Sequence, residues 1–182
     1  MKKIIVIVGF FFINHNFAQG VKLGFRSEIF APSYEKTGIG KTFLLNPAPF
    51  NLYFVCGLNV SQNLQIDVRP GYSIMEDYGG FEFGGYIKYF PTENICFLAA
   101  YNAHFMGGEG HGTHSNNETT FLMPGAGIGF VTGKHSSLEF MVFIPSPKEW
   151  KYDYEFNSEG FKKIVSKFDL IFKIGFGFDW SI

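Results

Sequence analysis

The sequence predicts an all-β fold: an eight-stranded antiparallel up-and-down transmembrane β-barrel preceded by a signal peptide. Three observations predict it. The first is the alternation in residues 168–182, where Phe168, Leu170, Phe172, Ile174, Phe176, Phe178 and Trp180 are large and apolar, and Asp169, Lys173, Gly175, Gly177 and Asp179 fall between them. Only Ile171 breaks the rule. A period of two makes a strand with one greasy and one polar or small face. With no helix or second sheet left to cover that aromatic face, lipid is its natural neighbour. The second is the spacing of the strands, whose connections run long, short, moderate, short, long, short, long. A barrel with tight turns on one rim and longer loops on the other has this spacing. The third is length: apart from one run near the N-terminus, no apolar stretch approaches the roughly 20 residues of a spanning helix.

That run, residues 4–13, follows Lys2 and Lys3 and precedes the small residues Ala18 and Gly20. A charged start, a short apolar core and small residues at the cut describe a secretory signal. Residues 1–18 are therefore assigned to it and residues 19–182 to one barrel domain, cleavage after Gly20 being the alternative. Neither Gln19 nor Val21 is the cysteine that a lipid anchor needs. Without the two signal lysines, 13 Lys and Arg stand against 16 Asp and Glu, a net charge of −3 with nothing in it that points to a nucleic-acid partner. Of 182 residues, 17% are charged and 19% aromatic, a departure from a soluble surface toward a membrane protein.

Taken in order, the first strand sets Val21, Leu23, Phe25, Ser27 and Ile29 against Lys22, Gly24, Arg26 and Glu28, and a Gly/Pro-rich loop at residues 30–47 follows. The second sets Phe50, Leu52, Phe54, Cys56 and Leu58 against Asn51, Tyr53, Val55 and Gly57. After the turn Ser61, Gln62, Asn63, the third sets Leu64, Ile66, Val68, Tyr72 and Ile74 against Gln65, Asp67, Arg69 and Ser73. Pro70 has no N–H for a ladder, which places it at a bulge or strand mouth. The fourth sets Phe81, Phe83, Ile87 and Tyr89 against Glu82, Gly84, Tyr86 and Lys88; the fifth, Ile95, Phe97, Ala99, Tyr101 and Phe105 against Cys96, Leu98, Asn102 and His104. A hydrophilic loop at 107–118 leads to the sixth, Leu122, Pro124, Ala126, Ile128 and Phe130 against Met123, Gly125, Gly127 and Gly129. The seventh sets Leu138, Phe140, Val142 and Ile144 against Ser137, Glu139 and Met141, and a charged connection at 145–167 delivers the eighth. Cys56 and Cys96 fall on different strands and opposite faces, which argues against a disulfide between them and for two small apolar fillers.

If the apolar face meets lipid, the other face gathers Lys22, Arg26, Glu28, Asp67, Arg69, Glu82, Lys88, Glu139, Asp169, Lys173 and Asp179 in the lumen. Five cations and six anions cannot lie unpaired in a narrow barrel, so the expectation is a salt-bridge network that plugs it. Glycine-rich faces on the fourth, sixth and eighth strands suit such a barrel, where interior space is scarce.

Chemistry elsewhere is thin. Glu109, His111 and His114 offer a carboxylate and two imidazoles on an outside loop, a metal-type set without a third well-placed histidine or a rigid frame, so no metal or cofactor is assigned. His104, near a rim, is weighed as an acyl-transfer residue and read instead as a polar lumen residue, since no nucleophile motif accompanies it. Trp150, Tyr152, Tyr154 and Phe156 alternate with Lys151, Asp153 and Glu155, a strand continuing past the membrane plane, with Phe161, Ile164 and Val165 in its return or in an amphipathic turn. Such a strand suits an interfacial aromatic belt or edge pairing with a partner.

Gly20-Val21-Lys22-Leu23-Gly24-Phe25, Arg69-Pro70-Gly71-Tyr72-Ser73, Gly85-Tyr86-Ile87-Lys88-Tyr89-Phe90-Pro91 and Gly175-Phe176-Gly177-Phe178 together resemble the small outer-membrane β-barrel domain family common in Bacteroidota, which includes PorT-like proteins and the OmpA- and OmpX-like shape. The resemblance covers nearly the whole mature chain and implies an outer-membrane barrel with periplasmic termini, though the chain ends on Ile182 where many such proteins end on an aromatic residue. The expected function is non-enzymatic, structural or adhesive. Its expected partners are outer-membrane lipid, the barrel assembly machinery, and an extracellular protein or glycan met through the loops at 30–47, 107–118 and 145–167. The alternatives are a narrow channel or secretion accessory, and a soluble lipocalin-like barrel around an apolar ligand, with the same strands turned inside out.

Overall fold

A computed structural model describes residues 20–36, 40–43, 50–74, 79–106, 120–157 and 160–182. The signal segment at 1–18 and the loop carrying Glu109, His111 and His114 lie outside the described residues. Among these residues there are ten strands: β1 Val21–Lys36, β2 Gly40–Phe43, β3 Phe50–Ser61, β4 Leu64–Ile74, β5 Gly80–Thr92, β6 Ile95–Met106, β7 Thr120–Val131, β8 Ser136–Phe143, β9 Glu149–Asn157 and β10 Gly160–Ser181. They form one antiparallel sheet in the order β2-β1-β3-β4-β5-β6-β7-β8-β10-β9, which β1 and β10 close by pairing with each other.

Eight strands are the staves of the closed barrel: β1, β3 to β8, and β10. Closure is extensive, from Lys22↔Ser181 to Lys36↔Ser166. The two remaining strands extend staves rather than adding to them. Among the described residues β2 pairs with the far end of β1 alone, through Ser33↔Phe43 to Lys36↔Gly40. β9 pairs with the first part of β10, through Gly160↔Asn157 to Lys167↔Glu149. Between β8 and β9 the chain stays in the wall, since Ile144 and Ser146 donate to Pro124 and Leu122 of β7 and Phe168 donates to Lys148. β9 thus continues the line of β8. The segments expected as loops at 30–47 and 145–167 therefore contain hairpins that prolong the wall, and the stretch from Gly160 is the return of the second hairpin rather than an amphipathic turn.

The period of two sets the faces. Phe25, Phe54, Phe83, Phe97, Tyr101, Phe140 and Phe176 point outward and are exposed, while Arg26, Tyr53, Glu82, Leu98, Asn102, Glu139 and Lys173 point inward and are buried. A barrel with its apolar residues around a central cavity is thereby ruled out: Phe97 and Phe176 lie on the outside, and Arg69 is 0% exposed.

Two local readings are corrected. Phe168, assigned to the greasy outer face, is fully buried inside, as is Ile171. The cause is a bulge: Ser33 pairs with Leu170 and Tyr34 with Phe168, so Asp169 is the extra residue on β10. One inserted residue inverts the phase beyond it. Ile171 keeps the inward phase of Lys173 and Gly175, and it is apolar there because it packs with Phe168, Phe30 and Phe143 in a buried layer. Pro70 occupies neither a bulge nor a mouth. It pairs with Phe83 on the β5 side, while towards β3 the register runs unchanged from Tyr53↔Gly71 to Cys56↔Val68 with the ladder interrupted between. A missing N–H is absorbed as a gap without a shift.

Candidate functional site

The inward residues form three layers along the shaft. The central layer is ionic. Arg69 makes a two-pronged contact with Glu139, Nη1 to Oε2 at 2.8 Å and Nη2 to Oε1 at 3.1 Å, and reaches Asp67 at 3.0 Å. Its guanidinium lies 3.7 Å over the Tyr86 ring. Lys88 bridges the same two acids, at 2.8 Å from Asp67 and 3.0 Å from Glu139. Arg26 adds a contact to Glu139 at 2.9 Å and donates to Ser137 Oγ at 2.9 Å and to the Gly175 carbonyl at 3.3 Å. A Cβ on Gly177 would stand 2.6 Å from Nη2 of Arg26, so a larger residue there must displace the guanidinium.

A second group centres on Glu82. It accepts from Lys173 Nζ at 2.6 Å, from Ser73 Oγ at 3.0 Å and from the Tyr53 hydroxyl, and His104 Nδ1 is 3.2 Å away. Lys173 also donates to Tyr53 at 2.9 Å. The Asn51 amide, turned so that each donor meets an acceptor, gives its nitrogen to Ser73 Oγ at 2.7 Å and its oxygen to Lys173 at 3.1 Å. Glu28 stands between the groups, 3.8 Å from Arg69 and 3.9 Å from Lys173. The shaft therefore holds Arg26, Arg69, Lys88 and Lys173 against Glu28, Asp67, Glu82 and Glu139, all at most 3% exposed. Ions taken out of water are tolerated only with close opposite partners and satisfied hydrogen bonds.

Towards the hairpins the layer is apolar. Phe30, Phe121, Met123, Phe143, Phe168 and Ile171 are buried together, with Phe121 and Phe168 edge to face at 5.8 Å between ring centres. His104 lies beneath this layer, 6.2 Å from the Phe121 ring. At the opposite end, where the short turns, the start of β1 and the end of β10 lie, Lys22 donates to Gln65 at 3.0 Å and sits 3.9 Å from Asp179. A cavity of about 490 Å³ opens there, lined by Asn59, Gln62, Phe90 and Glu93 among others, and Lys22 and Gln65 lie at its inner side.

The eleven charges expected in the lumen thus separate into three places. Eight meet in the ionic layer. Lys22 and Asp179 sit partly exposed at the turn-end mouth. Asp169 is elsewhere: at the bulge it pairs with Lys41 of β2 at 2.6 Å and with Lys148 at 3.7 Å, at the base of the hairpins. Those contacts, the hydrogen bond from Lys41 foremost, hold its carboxyl below the usual carboxylate range, and the same contact raises Lys41. The correction follows from the bulge that displaced Phe168. The charge-based selection passed over the neutral members Asn51, Tyr53, Ser73, Tyr86 and Asn102, although all share the inward phase of their strands. Cys56 is exposed on the outside and Cys96 buried inside, both as free thiols. Among the described residues no group of three or more His, Cys, Asp and Glu could hold a metal.

No family model matches the chain, and no curated protein does. Among solved structures, the N-terminal β-barrel domain of Pseudomonas aeruginosa OprF aligns with a TM-score of 0.48 at 10% identity, over 86% of this chain and 97% of that one. Outer membrane protein OprG of the same organism aligns at 0.42 and 11%, over 92% and 98%. The Neisserial surface protein A aligns at 0.41 and 11%, over 86% and 96%. Identities this low assign no role to any residue.

Proposed function

We propose that this chain is an integral outer-membrane barrel, non-enzymatic and closed to solutes, that carries its two prolonged hairpins outside the cell as an interaction surface. The observation that supports it most is the pairing of faces: an outward apolar belt that suits hydrocarbon around a shaft whose ions neutralise one another. No helix among the described residues is long and apolar enough to cross a membrane, whereas eight closed strands satisfy every requirement for crossing without one. The short turns share a rim with the start of β1 and the end of β10, which supports periplasmic termini and external hairpins. Residues 1–18 would direct export, and lipid and the barrel assembly machinery would be the partners of insertion.

The ionic layer and the apolar layer above it lie in series, which argues against a narrow channel. The burial of His104 beneath Phe121 argues against chemistry on a lipid substrate. Two measurements test the reading together. Membrane fractionation should find the protein with the outer membrane, migrating faster on gels before boiling than after. Planar-bilayer recording should find no conductance steps. Recovery in the aqueous fraction, or regular single-channel steps, would contradict it.

A further inference from the structure

The hairpins stand side by side because β1 and β10 remain paired as far as Lys36↔Ser166. Beyond the barrel they form a four-stranded sheet, β2-β1-β10-β9. One margin, β2, is four residues long; the other, β9, is nine. Among the described residues β9 pairs with β10 alone. A sheet margin nine residues long is a template for another strand.

The sequence of β9, EWKYDYEFN, names the strand that fits. Laid antiparallel against itself with Asp153 at the centre, it places Lys151 opposite Glu155 twice, Trp150 opposite Phe156 twice and Tyr152 opposite Tyr154 twice. Opposite charges and aromatic pairs are the favourable cross-strand combinations, and the one unfavourable position is Asp153 opposite its own copy. Symmetry then fixes the direction. An antiparallel pair of identical strands needs a two-fold axis perpendicular to both. β9 continues β8 away from the barrel, so a neighbour in the same membrane presents its β9 in the same outward sense and cannot pair this way. A copy in a facing membrane can.

Resting on the reading of the hairpins as external, we propose that β9 is a homophilic adhesion strand that joins two copies of this protein across apposed membranes. Vesicles carrying wild-type protein, with incorporation verified by the gel shift on boiling, should cluster. Lys151→Glu and Glu155→Lys vesicles should each stay dispersed, because every Lys151–Glu155 contact becomes like-charged. Mixing the two populations should restore clustering, since each variant then meets its complement, and this recovery excludes misfolding as the cause of the loss. Asp153→Asn should cluster faster than wild type. Wild-type vesicles that stay dispersed despite verified incorporation would overturn the proposal, as would single variants that cluster normally or a mixture that stays dispersed. Failure to incorporate at all would instead strike at the membrane-barrel reading.

Discussion

Arg69 shows how much of the fold rests on single inward residues. It is fully buried and touches Glu139, Asp67 and Tyr86. Removing it leaves acids without their main partner, and breaking a buried pair in this way costs roughly 3–5 kcal/mol. Arg69→Met should therefore lower the urea midpoint of folded protein in vesicles far more than Lys22→Met, which removes a partly exposed pair at the mouth worth about 1 kcal/mol or less. Gly177→Ala tests the same layer from its other side. The added methyl meets the Arg26 guanidinium, and overpacking should cost about 1–3 kcal/mol. At this scale the sequence was legible where charge marked the residue, as with Arg26, Arg69 and Glu139. It was not where Asn51, Tyr53 and Ser73 complete the Glu82 group, because nothing in a neutral side chain announces that a buried carboxylate will need its donors.

Among the elements, β10 carries the lesson of phase. The alternation over Phe172 to Trp180 was readable because the period of two holds there without interruption. Phe168 was misread because a single bulged residue inverts everything beyond it, and a bulge leaves no mark in hydropathy. Deleting Asp169 should therefore leave Phe168 and Ile171 both inward, and the barrel should still shift on boiling. The hairpin base should loosen instead, since the ties to Lys41 and Lys148 are lost. Faster amide exchange in β2 and in Glu149–Asn157 would register this; loss of the boiling shift would contradict it. The same ties respond to acid. Because folding depresses the Asp169 pKa, the contribution is complete above the unfolded carboxylate range and is lost as pH falls from there through the lowered folded value. Protection of the hairpin-base amides, measured relative to their intrinsic exchange rate at each pH, should fall below about pH 4, the ordinary carboxylate value, and stay constant around neutral pH.

For the whole molecule, everything turns on which way the oily side chains face. Strand number, closure and the inside-out distribution of charge were all legible, because a closed antiparallel wall must alternate and its interior must neutralise. The prolonged sheet was only half legible: the period in β9 could be seen, but the pairing of β1 with β10 that places both hairpins together is a long-range contact that no local pattern records. The chain contains its own probe of orientation, since Cys56 faces outward and Cys96 inward. The most direct measurement is electron paramagnetic resonance on a Cys96→Ala variant, spin-labelled at Cys56 while unfolded and then refolded into lipid vesicles. Frequent collision with oxygen and rare collision with a water-soluble nickel chelate is the predicted result; the reverse would place Cys56 in water and contradict the account.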